Sequence, residues 1–259
     1  MALLNVNFFS DALGMSTSMN VILPEYVPGD ESKYPVLYLL HGMSDDQNAW
    51  CRFTSIERYA RDRGIAVVMP TTALGWYCDM YYGYDYFTFV SSELPKIVKN
   101  FFPRISDKRE DTFVAGLSMG GYGALKCALR APETFAAAGC LSGALDVNSV
   151  YKSWSEDENM KGFAEDVFGP RRKLKTSGND LFYEAEKLAA SDLPKPRIFT
   201  WCGRQDFLYK DNRRAVRKLI SLGFDVTPTW SDGEHQWKYW DEHIQNVLDW
   251  MGFERKGTK

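Results

Sequence analysis

Short runs of apolar and β-branched residues alternate with longer segments of helical periodicity along most of this 259-residue chain. The short runs predict strands, which lie at residues 34–40, 65–69, 112–117, 135–141, 197–202 and 224–230. The longer segments predict helices at residues 54–64, 87–102, 119–129, 210–222 and 237–251. Strands that alternate with helices are typical of βαβ units around a largely parallel, twisted sheet with helices on both faces.

Two segments depart from this alternation. Residues 4–10 and 16–24 flank Asp11-Ala12-Leu13-Gly14 and predict an antiparallel hairpin at the N-terminus. Residues 146–190 are more polar and are too long for a simple connection, so they predict a cap-like excursion with helices of its own. We expect residues 1–259 to form one domain, because α/β domains of this size are common.

The helix predicted at 54–64 carries signals at both of its ends. Thr54-Ser55-Ile56-Glu57 has the form of a capping box, and Gly64 predicts the end of the helix. In the helix predicted at 87–102, Pro95 indicates either a kink or a first turn.

Composition narrows the classes of function. The chain carries 31 basic and 34 acidic side chains, a net charge of −3, so we expect no nucleic-acid partner. No apolar run reaches the ~18 residues of a membrane span, and residues 1–10 lack the basic start of a signal peptide, which together favour the cytoplasm. The five cysteines are scattered and the three histidines lie far apart, so we expect free thiols and no metal site.

Gly116-Leu117-Ser118-Met119-Gly120 is a G-x-S-x-G pentapeptide that follows a predicted strand and opens a predicted helix. In α/β-hydrolases this context holds a serine on a strained turn, where its Oγ is exposed and a base can take its proton. The alternative is a glycine-rich helix entry packed on a sheet. Because pentapeptide and context coincide, we predict the α/β-hydrolase fold with Ser118 as nucleophile.

Three histidines compete for the role of base. In this fold the chain order is nucleophile, acid and histidine, and the histidine comes from a loop after a late strand. His235 fits that order and position, whereas His41 precedes the nucleophile and His243 lies within the last helix. We therefore predict His235 as the base and a structural role for His41, which would hold its loop by a side-chain hydrogen bond.

The acid that orients this histidine should follow another late strand on the same edge of the sheet. Asp206 follows the strand that ends at Cys202. Asp232 is too close in sequence to His235 to come from a separate strand end, and Asp211 falls in the first turn of the next helix. Asp206 is therefore the predicted acid.

Acyl transfer also needs hydrogen-bond donors for the oxyanion. The backbone N–H of Met119 follows the nucleophile directly at a helix N-terminus, and it is the first predicted donor. The second should come from the loop after the strand at 34–40, where the Met43 N–H is the first choice and the Gly42 N–H the second.

Residues 76–86 form an unusually aromatic loop that follows a strand. Aromatic rings make apolar walls for an acyl or aryl group, and tyrosine hydroxyls bind polar alcohols. Packing of these rings in the core or at a subunit contact is an equal alternative. The candidate substrate-binding residues of this loop are Trp76, Tyr77, Tyr82 and Tyr84.

Several motifs together resemble the esterase D-like esterases and, within them, the bacterial tributyrin esterases. They are Tyr38-Leu39-Leu40-His41-Gly42, Gly116 to Gly123, Leu141-Ser142-Gly143-Ala144-Leu145-Asp146 and Gly233-Glu234-His235. The resemblance implies hydrolysis of short-chain acyl esters without a cofactor, a small-molecule ester as partner, homo-oligomers, and a triad at Ser118, Asp206 and His235. Relatives include acetyl and feruloyl esterases, S-formylglutathione hydrolases and mycolyl transferases.

The predicted function is therefore a serine carboxylic ester hydrolase that works through an acyl-enzyme. Two alternatives use the same triad, namely an acyltransferase in which an alcohol replaces water and an S-formylglutathione-type thioesterase. A third, more remote alternative is a catalytically silent binding protein that keeps the fold.

Overall fold

The computed structural model describes residues 1–25, 31–160 and 162–253. Residues 26–30, 161 and 254–259, which the predicted domain of 1–259 includes, lie outside the described residues. The described part forms one eight-stranded sheet in the order β1-β2-β4-β3-β5-β6-β7-β8. Its strands are β1 (Ala2–Ser10), β2 (Met15–Leu23), β3 (Val36–Leu40), β4 (Ala66–Pro70), β5 (Thr112–Leu117), β6 (Ala137–Leu141), β7 (Arg197–Gly203) and β8 (Val226–Ser231).

Strands β3 to β8 pair in parallel, while β1 and β2 form an antiparallel hairpin that joins the sheet through an antiparallel pairing of β2 with β4. The predicted α/β-hydrolase sheet and its N-terminal hairpin are thus confirmed. Because the six parallel strands run in one direction, their carboxyl ends lie at one edge of the sheet, where ligands bind in open α/β sheets.

Helices cover both faces of the sheet. They are α1 (Ala49–Phe53), α2 (Ile56–Arg63), α3 (Tyr86–Thr88), α4 (Leu94–Phe101), α5 (Met119–Arg130), α6 (Val147–Glu156), α7 (Phe163–Phe168), α8 (Leu181–Ala189), α9 (Tyr209–Ser221) and α10 (Trp237–Trp250). Side chains of β3 alternate between two buried clusters. One cluster contains α5, α8 and α9 and the other contains α2 and α10, so each face of the sheet is buried under its own helices.

Two local expectations change in the structure. The segment predicted as one helix at 87–102 is α3 followed by a π-helical turn, Phe89–Glu93, and then by α4, with Pro95 in the first turn of α4. The prediction of a capping box at Thr54 is wrong. The N-cap of α2 is Ser55, one residue later than predicted, and the Ser55 N–H donates to Asp241 of α10. Gly64 ends α2 in a left-handed conformation with φ of 67°, as its position predicted.

The segment between β6 and β7 carries α6, α7, a 3₁₀ helix at Arg171–Thr176, and α8. Asp146 caps α6 and Asp180 caps α8, and each carboxylate accepts two backbone N–H groups of its helix. Two aromatic residues of this segment, Trp154 and Phe168, pack against Trp76. The excursion is therefore helical and is attached to the aromatic loop after β4.

The turn from β5 into α5 depends on close backbone packing. Ser118 adopts φ of 52°, a left-handed conformation that is rare for a non-glycine residue. A Cβ on Gly116 would lie 2.4 Å from the Gly120 carbonyl oxygen, and a Cβ on Gly120 would lie 2.4 Å from the Leu40 carbonyl oxygen. Glycine at both positions therefore lets α5 start directly against β3 and β5.

We expect Gly120→Ala to lower the free energy of unfolding by about 3 kcal/mol, because the new methyl group meets rigid backbone rather than a side chain that can move. Chemical denaturation of the variant would measure this. Gly14→Asn is a suitable control, since Gly14 has φ of 63° but a Cβ added there would have no atom within 4 Å. Equal stability of the two variants would contradict the close packing of α5.

Candidate active site

Ser118 lies at the carboxyl end of β5, at the edge of the sheet where the parallel strands end. Its backbone is held on both sides, because its N–H donates to the Leu141 carbonyl and its carbonyl accepts from the N–H groups of Tyr122 and Ala144. The strained turn is thereby stabilised by β6 and α5 together. Its side chain lines a cavity rather than packing in the core.

His235 follows β8 and lies between Ser118 and Asp206. Its Nε2 is 3.0 Å from Ser118 Oγ, and its Nδ1 is 2.9 Å from Asp206 Oδ2. Asp206 has a fully buried side chain, while the His235 side chain is 21% exposed. The structure thus brings together, in one hydrogen-bonded chain, three residues that lie far apart in the sequence.

Asp206 is held as a carboxylate by its surroundings. Burial acts to raise its pKa, but the hydrogen bond and charge of His235, the Leu208 N–H and the nearby Ser142 hydroxyl outweigh burial, and the pKa falls below its ordinary value. The Leu208 N–H donates to Oδ1 at 2.9 Å, which leaves Oδ2 for His235. A charged acceptor at Nδ1 favours the imidazole tautomer whose Nε2 lone pair faces the serine.

Two aromatic rings hold the His235 ring in place. Trp240 packs edge-on against it with ring centres 4.8 Å apart, and the Trp240 indole N–H donates to Ser142 Oγ. The Phe207 ring centre lies 4.6 Å from that of His235, and Phe207 is 75% exposed. The imidazole is therefore packed on its α10 side and borders solvent beside Phe207.

The loop after β3 provides a second wall for the site. Met43 lines the same cavity as Ser118, while Met119 is buried at the start of α5. Burial raises the pKa of Asp45, and a hydrogen bond to the Gly42 backbone acts in the opposite direction. The Met43 and Met119 N–H groups stay the predicted oxyanion donors, with the Gly42 N–H as the alternative from this loop.

His41 is buried at the end of β3 and does not reach Ser118. The Thr72 N–H donates to its Nε2 at 3.0 Å, so its proton is on Nδ1, which donates to the Gly42 carbonyl at 2.7 Å. Burial lowers the pKa of His41 and keeps the ring neutral. Because the Gly42 carbonyl and the Met43 N–H belong to one planar peptide, His41 also orients the Met43 N–H. This hydrogen bond is the structural role that the sequence predicted.

We expect His41→Leu to lower kcat by up to about 10²-fold, because a free Gly42–Met43 peptide no longer presents its N–H in one direction. His41→Asn is the matched variant, since its side-chain amide can still donate to the Gly42 carbonyl. Steady-state kinetics should therefore rank His41→Asn well above His41→Leu. Equal losses in the two variants would show that the hydrogen bond to Gly42 has no part in the activity.

A cavity of about 320 Å³ opens at Ser118. Besides Ser118, its walls come from the loops after β3, β4 and β6, from helix α6, and from the first turn of α9 with the turn before it. The lining residues are Met43, Trp76, Ser118, Ala144, Ser149, Val150, Ser153, Trp154, Phe207, Leu208 and Asp211. Most of this wall is apolar, and the α6 residues among them had no signal in the sequence, because nothing local shows which face of α6 meets Ser118.

Of the four residues predicted to bind substrate, Trp76 alone lines this cavity. Tyr77 has φ of 49°, which turns its ring into the core, where its hydroxyl donates to the His41 carbonyl. Tyr82 and Tyr84 are exposed, and the Tyr82 backbone binds α7 rather than the site. The aromatic loop thus divides between core, cavity and surface. Tyr77 is fully buried, which corrects the prediction that it contacts a substrate, while Tyr82 and Tyr84 stay predictions.

The rejected candidates lie elsewhere or have other contacts. His243 stacks on Trp201 with ring centres 4.0 Å apart, and Asp232 pairs with Arg204 at the surface. Asp211 lines the cavity, although Arg214 is its ion-pair partner.

In the described ranges, no group of three or more His, Cys, Asp or Glu side chains is arranged to hold a metal ion. No helix among these residues is long and apolar enough to span a membrane.

Comparison with known proteins decides the family. A family model described as "Putative esterase" matches residues 10–251. The chain belongs to this esterase family. An acetyl esterase of Caldicellulosiruptor saccharolyticus is 32% identical over 262 residues, which are 97% of this esterase and 98% of the relative.

Two solved structures from Staphylococcus aureus are similar to the esterase throughout. The substrate-bound fluorophosphonate-binding serine hydrolase FphF has a TM-score of 0.89 and 34% identity. The S-formylglutathione hydrolase FrmB, solved as the apoenzyme, has a TM-score of 0.85 and 34% identity. Both alignments cover 96% of this esterase and 98% of the other chain. The protein is thus a carboxylesterase of the serine hydrolase type.

Proposed function

We propose that the protein hydrolyses short-chain acyl esters through an acyl-enzyme on Ser118. The observation that carries this proposal is the hydrogen-bonded chain from Ser118 Oγ through both His235 nitrogens to Asp206, with spacings of 3.0 and 2.9 Å. Nucleophile, base and orienting acid at these spacings are the recurring requirement of serine-dependent acyl transfer.

In the first half of the reaction, His235 Nε2 takes the Ser118 proton while Oγ attacks the ester carbonyl carbon. The carbonyl electrons move onto oxygen, and the Met43 and Met119 N–H groups stabilise that oxyanion. When the tetrahedral intermediate collapses, the bond to the alcohol breaks and His235 returns the proton to the departing oxygen. Asp206 stabilises the imidazolium between these steps.

In the second half, water occupies the place of the alcohol. His235 takes a proton from water, whose oxygen attacks the acyl-serine carbonyl, and the same donors stabilise the second oxyanion. Collapse of this intermediate releases the carboxylic acid and returns the proton to Ser118. The partly exposed His235 ring, at 21%, gives water access to the base.

The size of the cavity supports a small substrate. At about 320 Å³ it lies near the lower limit of ligand pockets. The similar acetyl esterase of Caldicellulosiruptor saccharolyticus also favours a short acyl group, and an acetyl or feruloyl ester of a carbohydrate fits the proposal. Helix α6 supplies four of the lining residues, so residues 146–190 would act as the partial cap of a single domain.

The test is hydrolysis of p-nitrophenyl esters from acetate to octanoate, combined with labelling by a fluorophosphonate. We expect turnover to fall steeply once the acyl chain exceeds the cavity, and the label to appear on Ser118. Absence of both turnover and label would remove the esterase mechanism and favour the silent binding protein.

A second candidate is hydrolysis of S-formylglutathione, because the FrmB hydrolase is similar over nearly the full length of both chains. A thioester would pass through the same two steps. Comparing kcat/KM for S-formylglutathione and for short oxygen esters separates the two functions. Adding an alcohol and analysing the products distinguishes hydrolysis from acyl transfer. The cytoplasmic location and the homo-oligomer implied by the resemblance stay predictions.

Activity should be lost in acid and rise with pH, since only a neutral histidine can take the serine proton. The pKa of Asp206 lies below its ordinary value, so Asp206 is already ionised in weak acid and its titration does not limit the rise. The pH profile of kcat/KM measured with p-nitrophenyl acetate should follow the loss of a single proton from the enzyme. A flat profile would contradict His235 as the base.

A further inference from the structure

The cavity at Ser118 has one ionisable side chain among the described residues that line it, apart from the reacting groups. This is Asp211, in the first turn of α9, whose side chain is 18% exposed. Arg214 donates to Asp211 Oδ1 at 2.9 Å and also binds Asp146 and Ser149. Asp211 and Asp146 thus share one guanidinium, and this cluster of three side chains behind the cavity wall carries net negative charge.

Trp76 provides the opposite kind of polar group. Its ring is fixed by edge contacts with Trp154 and Phe168, yet its indole Nε1 is buried and has no hydrogen-bond partner among the described residues. A buried tryptophan N–H normally finds an acceptor. Trp76 also has φ of 51°, a strained backbone of the kind that collects at ligand sites. Because Trp76 also lines the cavity at Ser118, a group bound in that cavity is where the missing acceptor would come from.

The unpartnered indole N–H and the Asp211 carboxylate, which shares its guanidinium with Asp146, select for different features of a substrate. The indole N–H favours an oxygen in the bound group, whether neutral or anionic. Asp211 repels an anion, because two like charges in a partly buried cavity oppose binding. A neutral oxygen satisfies both conditions, and a hydroxyl can in addition donate to the free Asp211 oxygen.

On the basis of the proposed esterase function, we infer that Asp211 and Trp76 determine its specificity. They select substrates whose bound group is uncharged and carries an oxygen, and Asp211 excludes groups that carry a carboxylate. This selection favours esters of hydroxylated or ether-containing groups over glutathione thioesters, which carry carboxylates.

The first experiment measures the charge selection. It compares kcat/KM for p-nitrophenyl butanoate and p-nitrophenyl hemisuccinate, whose acyl chains differ by a terminal methyl or carboxylate. Phenyl acetate and 4-carboxyphenyl acetate form a second pair, with the charge on the alcohol side. The wild type should prefer the neutral member, and Asp211→Asn should narrow that preference by about tenfold in one of the pairs.

Asp192→Asn is the matched control, because it makes the same charge change at an exposed position that does not line the cavity. Its neutral-to-anionic ratios should equal those of the wild type. If Asp211→Asn gives wild-type ratios in both pairs, Asp211 does not select on charge and the inference is wrong. Narrowing in either pair supports it and shows which side of the ester binds in the cavity.

The second experiment measures the Trp76 hydrogen bond. p-Nitrophenyl methoxyacetate and butanoate differ by an ether oxygen in place of a methylene group. Trp76→Phe keeps an aromatic ring but has no N–H, so it should lower the methoxyacetate-to-butanoate ratio of kcat/KM by about three- to tenfold relative to the wild type. An unchanged ratio would show that the Trp76 N–H does not bind the ether oxygen, and the part of the inference that concerns Trp76 would be wrong.

The experiments distinguish a failure of the specificity inference from a failure of the proposed esterase function. If the neutral esters are not hydrolysed at all, or if their hydrolysis does not require Ser118, the esterase mechanism itself fails. If they are hydrolysed through Ser118 while the ratios do not respond to Asp211→Asn, the mechanism stands and the specificity inference alone fails.

Discussion

Ser118→Ala should lower kcat for p-nitrophenyl acetate by about 10⁵- to 10⁶-fold, the largest effect expected of any single substitution in this protein. Without Oγ no acyl-enzyme forms, and His235 has no serine proton to take. The donors of the oxyanion site and the cavity remain, so a residual rate above that of the uncatalysed reaction should persist. Steady-state assays with substrate in excess would measure both the loss of activity and the residual rate.

The control for this variant addresses folding and contamination. Ser118 has a strained φ of 52°, and alanine keeps the strain, so the melting temperature should change little. Ser221→Ala makes the same chemical change at an exposed serine outside the cavity and should retain full activity. A Ser118→Ala enzyme that still turns over and still reacts with a fluorophosphonate would show that another residue is the nucleophile.

Asp206→Asn is the second large effect, an expected loss of about 10⁴-fold in kcat. An asparagine can turn its amide N–H toward His235 Nδ1, which would place the imidazole proton on Nε2, facing Ser118. The serine then has no base, although the hydrogen bond from the Leu208 N–H to the side-chain oxygen survives. The measurement is kcat at a pH where the wild type is fully active.

Asp232→Asn tests the specificity of that prediction. Asp232 lies closer in sequence to His235, but its side chain pairs with Arg204 at the surface, and we expect near wild-type activity. Full activity in Asp206→Asn together with a loss in Asp232→Asn would reverse the assignment of the acid. Both variants replace one carboxylate by an amide. A difference in their activities measured under the same conditions therefore depends only on which carboxylate is lost.

Local patterns in the sequence predicted most of the sheet. Runs such as 34–40 and 112–117 are apolar because a parallel strand is covered on both faces, and this property belongs to the strand wherever it lies. The hairpin at the N-terminus and the end of α2 at Gly64 are equally local, since turn residues set them directly. For the same reason the pentapeptide around Ser118 predicted a strand, a turn and a helix.

Contacts between distant segments explain the expectations that changed. The Ser55 N–H binds Asp241, 186 residues away, in place of a capping box with its neighbours. Tyr77 and Trp76 are adjacent in the sequence, yet one ring is in the core and the other lines the cavity, because two successive left-handed residues turn them in different directions. Aromatic composition alone could not distinguish these positions.

The chain order of Ser118, Asp206 and His235 was sufficient to nominate three residues, because in an α/β sheet the carboxyl ends of parallel strands meet at one edge. The sequence by itself thus determined the sheet, the turn at the nucleophile and the candidate reacting groups. Only the tertiary structure decided the walls of the cavity, the hydrogen bond of His41 to the Gly42 carbonyl, and the place of Asp211 in the lining of the cavity at Ser118. Those features depend on how α6, α9 and the loops pack against one another, and no periodicity along a single chain segment records that packing.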